Sequence, residues 1–525
     1  MKKLFKILSV STFVLALVAC GYDNQIPAQN ISNEEDLIQN ISNENGQNEI
    51  VFLLHADPTS LDPHRQMDIL SAETEMNLFR GLTAFYEGAT LQPTMSTEFY
   101  QTDPYTWIFH IRQGVTFHNG ESLNAEAVWL NFDRVLDRDF ASPRLFLLDM
   151  ITDVTVLDDY IVQFTTYFPF APLPYNFAHS PTIVAPAAIL EERNGGYTVA
   201  QNPIGTGPFM LYSRQYGNEI QMIRFDDYFR GAPKIERLTY LVIPDSATRL
   251  LMLESGQAHA TQISPVDAMT LMQDDLIDIN LVDSTRAIFL GFNNSQPPFN
   301  DSRLRQAVDY AINRENILTG IVEGFGIVGT GPVSPVIQGG TQNLIMRETN
   351  LERARELVVE AGFEYGLNVT LYTNSGNPVQ ETILIYVQYQ LSQIGINVEI
   401  NLIEWGTFVY LTAVGGPDMF VHGWSTTTGD ADYGIFQLFH SGVPGSGGNR
   451  AFHANPIIDS MLEDARATTD LDIRSEIYAN ISQHVVDEAV YIFLYYPIIP
   501  IATQGIDGIF IDFNGTSIFH NASLR

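Results

Sequence analysis

Val369-Thr370-Leu371-Tyr372-Thr373, a helical stretch from about Gln380 to Ile394, the break at Gly395 and a second extended run from Asn397 to Leu402 make up the segment on which the fold turns. Extended, helical, extended is a β-α-β pattern. A crossover helix of this length joins two parallel strands with a right-handed connection, the building block of an α/β lobe. Immediately upstream, Ala354, Leu357, Val358 and Ala361 repeat at helical spacing, with Asn350 placed as N-cap and Gly362 as the residue that ends the helix. Further upstream, Leu304, Ala307, Val308, Ala311 and Ile312 put one apolar stripe on a helix within Asn300 to Asn316. The region near 285–490 therefore reads as one α/β domain.

The earlier region is richer in strand-like runs. Thr106-Trp107-Ile108-Phe109-His110-Ile111 and Tyr160-Ile161-Val162-Gln163-Phe164-Thr165 are bounded by Gly and Asp turns. Asn202-Pro203-Ile204-Gly205-Thr206-Gly207-Pro208-Phe209 is a dense turn cluster, in which Gly is expected to supply positive φ and Pro to fix φ, and it marks a domain crossing. With 525 residues the chain exceeds what one hydrophobic core serves, so two or three domains are expected.

Sixty-one acidic residues against 27 basic ones give a formal charge of −34, a field that repels nucleic acid and excludes it as a partner. At the N-terminus, Lys2, Lys3 and Lys6 precede a mostly apolar run from Ile7 to Leu15. Ala16-Leu17-Val18-Ala19 then leads into Cys20, the single cysteine of the chain. The run is too short for a spanning helix and reads as a signal peptide over residues 1–19. Leu17-Val18-Ala19-Cys20 resembles the bacterial lipobox, which implies lipidation of Cys20 and an anchor at the outer membrane face. A lone cysteine excludes disulfides and cysteine metal sites. Residues 20–48 carry the near-duplicate Gln29-Asn30-Ile31-Ser32-Asn33-Glu34 and Gln39-Asn40-Ile41-Ser42-Asn43-Glu44 in a polar context, the composition of a flexible tether. No phosphate loop, Gly-x-Ser-x-Gly elbow or cysteine nucleophile points to an enzyme. The eleven histidines show no metal-ligand spacing, so no cofactor or metal is expected.

Several blocks, in order, carry a wider likeness. They are Thr59-Ser60-Leu61-Asp62-Pro63-His64, Phe79-Arg80-Gly81-Leu82, the long block Trp107 to Gly120, Gly205-Thr206-Gly207-Pro208-Phe209, Pro298-Phe299 with Arg303-Leu304-Arg305-Gln306-Ala307, Ala311-Ile312-Asn313-Arg314, and Gly423-Trp424. Together they resemble the bacterial extracellular solute-binding proteins of family 5, which serve peptide, nickel and glutathione ABC importers. The resemblance implies an α/β, type II periplasmic-binding-protein fold, with two lobes, a hinged cleft and a domain inserted into the first lobe. The boundaries expected from it are 49–82 with 200–285 and 491–525 for lobe I, 83–199 for the insertion and 286–490 for lobe II, the chain returning to lobe I near Tyr496-Pro497. It further implies a monomer that captures a small peptide outside the cell and delivers it to an ABC permease and its ATPase. A nickel or metallophore-binding importer component is the alternative.

Peptide-binding relatives hold the ligand backbone as an added strand. The segments that match are Asp68-Ile69-Leu70 and Gly423-Trp424-Ser425-Thr426-Thr427, with Trp424 either in the cleft or in the core. The aspartate that pairs with the ligand ammonium in di- and oligopeptide binders corresponds to Thr427, an uncharged residue. Asp430 and Asp432 either replace it or cap the following helix, with capping the first reading for Asp432. The run Gly423 to Tyr433 is most similar to the glutathione branch. Cations are scarce in this chain, and Arg286 and then Arg450 are the candidates for pairing with a ligand carboxylate, against a surface salt bridge as the alternative for each.

Overall fold

In the computed structural model, Leu367–Asn374 and Ile396–Ile403 run parallel along their whole length, Leu367 opposite Ile396 and Asn374 opposite Ile403. The helix Pro378–Ser392 connects them. Asn377 caps it by accepting from the Gln380 N–H, Pro378 sits in the first turn where no N–H is needed, and Gly395, at φ +82, lets the chain reverse into the second strand. One face of the helix buries Ile383, Leu384, Val387 and Leu391 against the sheet. Each such side chain contributes roughly 1.5–3 kcal/mol of burial. The structure describes residues 48–86, 90–179, 183–340 and 343–525. The expected signal peptide, the lipidation at Cys20 and all of the tether but Asn48 lie outside the described residues.

These strands begin a sheet that runs through the molecule. Its order continues with Met419–Ser425, Arg286–Phe292, Tyr491–Gln504, Ala260–Gln262, Glu49–Leu54, Arg237–Val242, Glu219–Arg224 and Phe209–Gln215. The 14-residue strand Tyr491–Gln504 belongs to both halves. Its first part pairs with Arg286–Phe292, while Ile498–Gln504 pair with Ile277–Asp283 and, in part, with Ala260–Gln262. The segment ahead of Arg286 is tied to the middle of this strand by the Ser284 N–H donating to Pro497 O at 3.0 Å. Tyr491, Ile492, Phe493 and Tyr495, just beyond the division expected at 490/491, are ladder partners of Arg286–Phe292.

Between the first strands, a separate antiparallel sheet takes the order Ser96–Asp103, Thr106–Ile111, Ile161–Thr166, Ile151–Asp158. Phe109, Phe132, Phe164 and Phe177 pack there with ring centroids 4.7–5.4 Å apart. The turn cluster at 202–209 differs from its sequence reading. Gly205 and Gly207 do not have positive φ. They are small because the chain passes against another backbone, where a Cβ would lie 2.2 Å from Leu78 O at Gly205 and 2.4 Å from Leu78 C at Gly207. The apolar stripe Leu304, Ala307, Val308 and Ala311 lies on one helix, Ser302–Ala311, with Ile312 as its C-cap, and a second helix, Arg314–Gly320, follows within the same segment. Asn313 is extended and caps the second helix, which lets the Arg314 guanidinium reach Asp309 and Phe493 O.

Candidate functional site

A cavity of about 600 Å³ lies where the helix start at Met67–Ile69, the inserted segments at Arg144 and His179, the strand Met419–Ser425 and the C-terminal loop at Asp512–Thr516 converge. The strand Met419–Ser425 is the organising element. Its inner edge is fully paired with Arg286–Phe292, Arg286 opposite Ser425 and Ile288 opposite Gly423. Its other edge pairs with Leu367–Asn374 through Met419 and Phe420 alone among the described residues. The end Gly423–Ser425 thus carries main-chain groups toward the cavity. Gly423 has a steric reason to be glycine, since a Cβ there would lie 2.4 Å from Arg286 Nε. The Arg286 side chain crosses the strand in the space that the missing methyl leaves.

Three guanidiniums line this cavity, those of Arg144, Arg286 and Arg450, and none of them is in a salt bridge among the described residues. Arg144 is 4% exposed, and its Nε and Nη1 have no hydrogen-bond partner. Arg450 donates through Nη1 to the Thr412 hydroxyl, while its Nε is unpartnered. Burial lowers the pKa of all three. Glu75, the acid closest in influence to Arg144, does not ion-pair with it. Burial raises the Glu75 carboxyl well above the ordinary carboxylate range, which favours its neutral form. An unpaired charge taken wholly or partly out of water is unfavourable, so one buried and two half-buried guanidiniums facing one cavity form a site suited to anions.

The remaining polar groups are mostly committed or neutral. His179 is pushed down to about 3 by burial and by Arg144, and His422 lies well below its usual value by burial and the charges of Arg450 and Arg286. His179 donates from Nδ1 to Thr427 O at 3.2 Å, joining the inserted domain to the second lobe. Asp68 accepts from the Ser71 N–H and from the hydroxyls of Ser71 and Thr59. Asp512 is buried, and burial pushes its carboxyl up to about 6 although it accepts from the Asn514 and Thr516 N–H groups.

Of the sequence candidates, Asp68, Ile69, Arg286, Gly423, Trp424, Ser425, Thr427, Tyr433 and Arg450 line this cavity. Four do not. Leu70 turns into the core of the first lobe. Thr426 is fully buried against Gly434, where a Cβ would meet its hydroxyl at 2.3 Å. Asp430 is the helix cap, accepting from the Asp432 N–H, and is closed off by an ion pair with Arg474. Asp432 is not the cap; it holds Arg466 through two bonds of 2.8 and 3.0 Å. Neither aspartate is free to receive a ligand ammonium. Asp68 begins the helix Ile69–Leu78 as its N-cap, so that segment presents a helical first turn and not an extended edge for strand addition. Neither arginine candidate forms the alternative surface salt bridge among the described residues. Arg144 was not found by sequence reasoning, because nothing in Ser142-Pro143-Arg144 sets it apart from a surface arginine.

Known proteins match this architecture. The family model for the middle region of the bacterial extracellular solute-binding proteins, family 5, matches residues 90–446. A glutathione-binding protein of Pectobacterium atrosepticum is 29% identical over 446 residues, covering 83% of this chain and 86% of its own. An oligopeptide-binding protein of Bacillus subtilis is 29% identical over 469 residues, 84% of each chain. The solved structure of HbpA2 from Haemophilus parasuis superposes with a TM-score of 0.84 at 24% identity, over 91% of this chain and 100% of that one. No helix among the described residues is long and apolar enough to cross a membrane. The two-lobed sheet, the inserted domain and the family match over most of the chain place this protein among the bacterial extracellular solute-binding proteins of family 5.

Proposed function

We propose that this chain is the substrate-binding component of an ABC importer, tethered at the extracytoplasmic membrane face by lipid on Cys20. Its ligand is a small peptide with more than one carboxylate, of the glutathione or a related di- or oligopeptide class, which it delivers to a permease and its ATPase. The observation that carries the reading is the group of Arg144, Arg286 and Arg450, free of ion pairs among the described residues and around one cavity, in a chain with 61 acids and 27 bases. The names of the glutathione-binding and oligopeptide-binding relatives support it. A diacylglyceryl adduct on an N-terminal Cys20 in the mass of the mature protein is the check on the anchor. The lobe boundaries proposed with this reading are 49–82, 200–285 and 496–525 for the first lobe, 83–199 for the insertion and 286–495 for the second.

The arginines also supply a mechanism for closure. Arg144 belongs to the inserted domain, and Arg286 and Arg450 to the second lobe. A ligand whose carboxylates pair with guanidiniums from both sides makes its full set of contacts only when the lobes are together. It shifts the open and closed populations by that difference in contacts. Titration calorimetry with glutathione, neutral dipeptides and a nickel–histidine complex tests the reading. Glutathione is expected to give heat and to bind more tightly than the neutral dipeptides. Heat with the nickel complex alone overturns the reading in favour of a metallophore.

The Asp512 carboxyl gives a pH signature. With a folded pKa raised to about 6, it is mostly protonated at pH 5 and mostly ionised at pH 7, while His179, pushed down to about 3, stays neutral throughout. Its protonated form favours the folded state below the unfolded value, and that contribution is lost as pH rises through about 6. The same ionisation adds a negative charge to the cavity wall. Glutathione affinity is therefore expected to fall by about fivefold, of order 1 kcal/mol, between pH 5 and pH 7. Asp512→Asn should remove this dependence; an unchanged pH profile in the variant would detach Asp512 from the site.

A further inference from the structure

A second cavity, of about 870 Å³, opens on the far side of Trp424 and Tyr433, and these two side chains line both cavities. Its volume falls within the roughly 300–1,000 Å³ of small-ligand sites. The indole N–H of Trp424 donates to Tyr433 O at 3.2 Å, and the two rings lie 5.5 Å apart, so the shared wall is fixed in orientation. Beyond it the chemistry changes. Phe146, Met150, Phe168 and Phe436 extend the wall as an apolar, aromatic lining, with Phe146 6.2 Å from the Tyr433 ring. The one arginine there, Arg466, is held by both oxygens of Asp432 and lies over the Phe436 ring at 3.1 Å, so its charge is already paired. Asp149 and Glu463 add carboxylates to the rim. This chamber disfavours an anion and favours an aromatic or aliphatic group.

We infer that the ligand has two chemically distinct ends, a carboxylate-bearing peptide head in the arginine cavity and an apolar or aromatic arm that passes along the Trp424–Tyr433 pair, which lines both cavities, into the second chamber. This rests on the peptide reading above and refines it. An arm that branches from the middle of a doubly carboxylated peptide, as a thiol substituent does in glutathione, keeps both carboxylates with the arginines while the branch turns away from them.

The test compares glutathione with S-benzylglutathione by calorimetry on the wild-type protein and on Phe146→Ala. Phe146 is 39% exposed and does not line the arginine cavity, so its loss leaves the fold and the head site in place. The benzyl derivative is expected to bind at least tenfold more tightly than glutathione, through the apolar area it buries. Phe146→Ala should reduce that advantage threefold or more while glutathione binding stays the same. Equal affinities for the two ligands, or an advantage that Phe146→Ala does not change, overturns the bipartite ligand and leaves the proposed function standing. Failure of both ligands to bind overturns the proposed ligand class and this inference together.

Discussion

Arg286→Ala is expected to weaken glutathione binding by roughly 10- to 150-fold, the loss of a charge-assisted pair worth about 1.5–3 kcal/mol. The reason is geometric as much as electrostatic. Arg286 starts a central strand, lies across the neighbouring strand at Gly423 and has no salt-bridge partner of its own among the described residues. Its removal should leave stability unchanged or slightly raised, since an unpaired, desolvated cation goes with it. Gly423→Ala provides a second route to the same result. The new methyl would lie 2.4 Å from Arg286 Nε and must displace the guanidinium, so affinity should fall although every charge is retained. Calorimetric affinities equal to wild type in both variants would remove Arg286 from the site.

The largest effect on stability is expected from Asp430→Ala. Asp430 and Arg474 have side chains only 1% and 2% exposed, and they meet across the helix start at Ala431 and the helix Leu471–Asp487. Taking away the carboxylate leaves a buried guanidinium without its counter-charge, a change of about 3–5 kcal/mol. It also strips the cap from the helix that carries Tyr433, about 1 kcal/mol more. Asp430→Asn keeps a capping oxygen and should lose less than the alanine variant. Urea denaturation of the two variants beside wild type measures the difference. A loss below 1 kcal/mol for Asp430→Ala would mean that this pair does not hold the second lobe together.

Much of the fold was legible because it depends on local spacing. The β-α-β at 367–403 follows from two extended runs flanking a helical one and a glycine at the reversal, all readable from neighbouring residues. The site was only partly legible, because its chemistry depends on what is absent nearby. Arg286 and Arg144 matter because no carboxylate among the described residues ion-pairs with them, and that depends on where acids far apart in sequence lie in space. The ion pairs of Asp430 and Asp432 were hidden for the converse reason. Their partners Arg474 and Arg466 lie 44 and 34 residues further along, on helices whose packing no motif announces. The glycines at 205 and 207 show the same limit, since it is the backbone of Leu78, more than a hundred residues earlier, that leaves no room for a side chain.

The strand Tyr491–Gln504 has one more consequence. Because it is hydrogen-bonded into both halves, neither half possesses a complete sheet without it. Pulling it away from one side strips the centre of the other, so the two lobes are bound to melt in concert, and the pair can swing against each other without either becoming an independent folding unit.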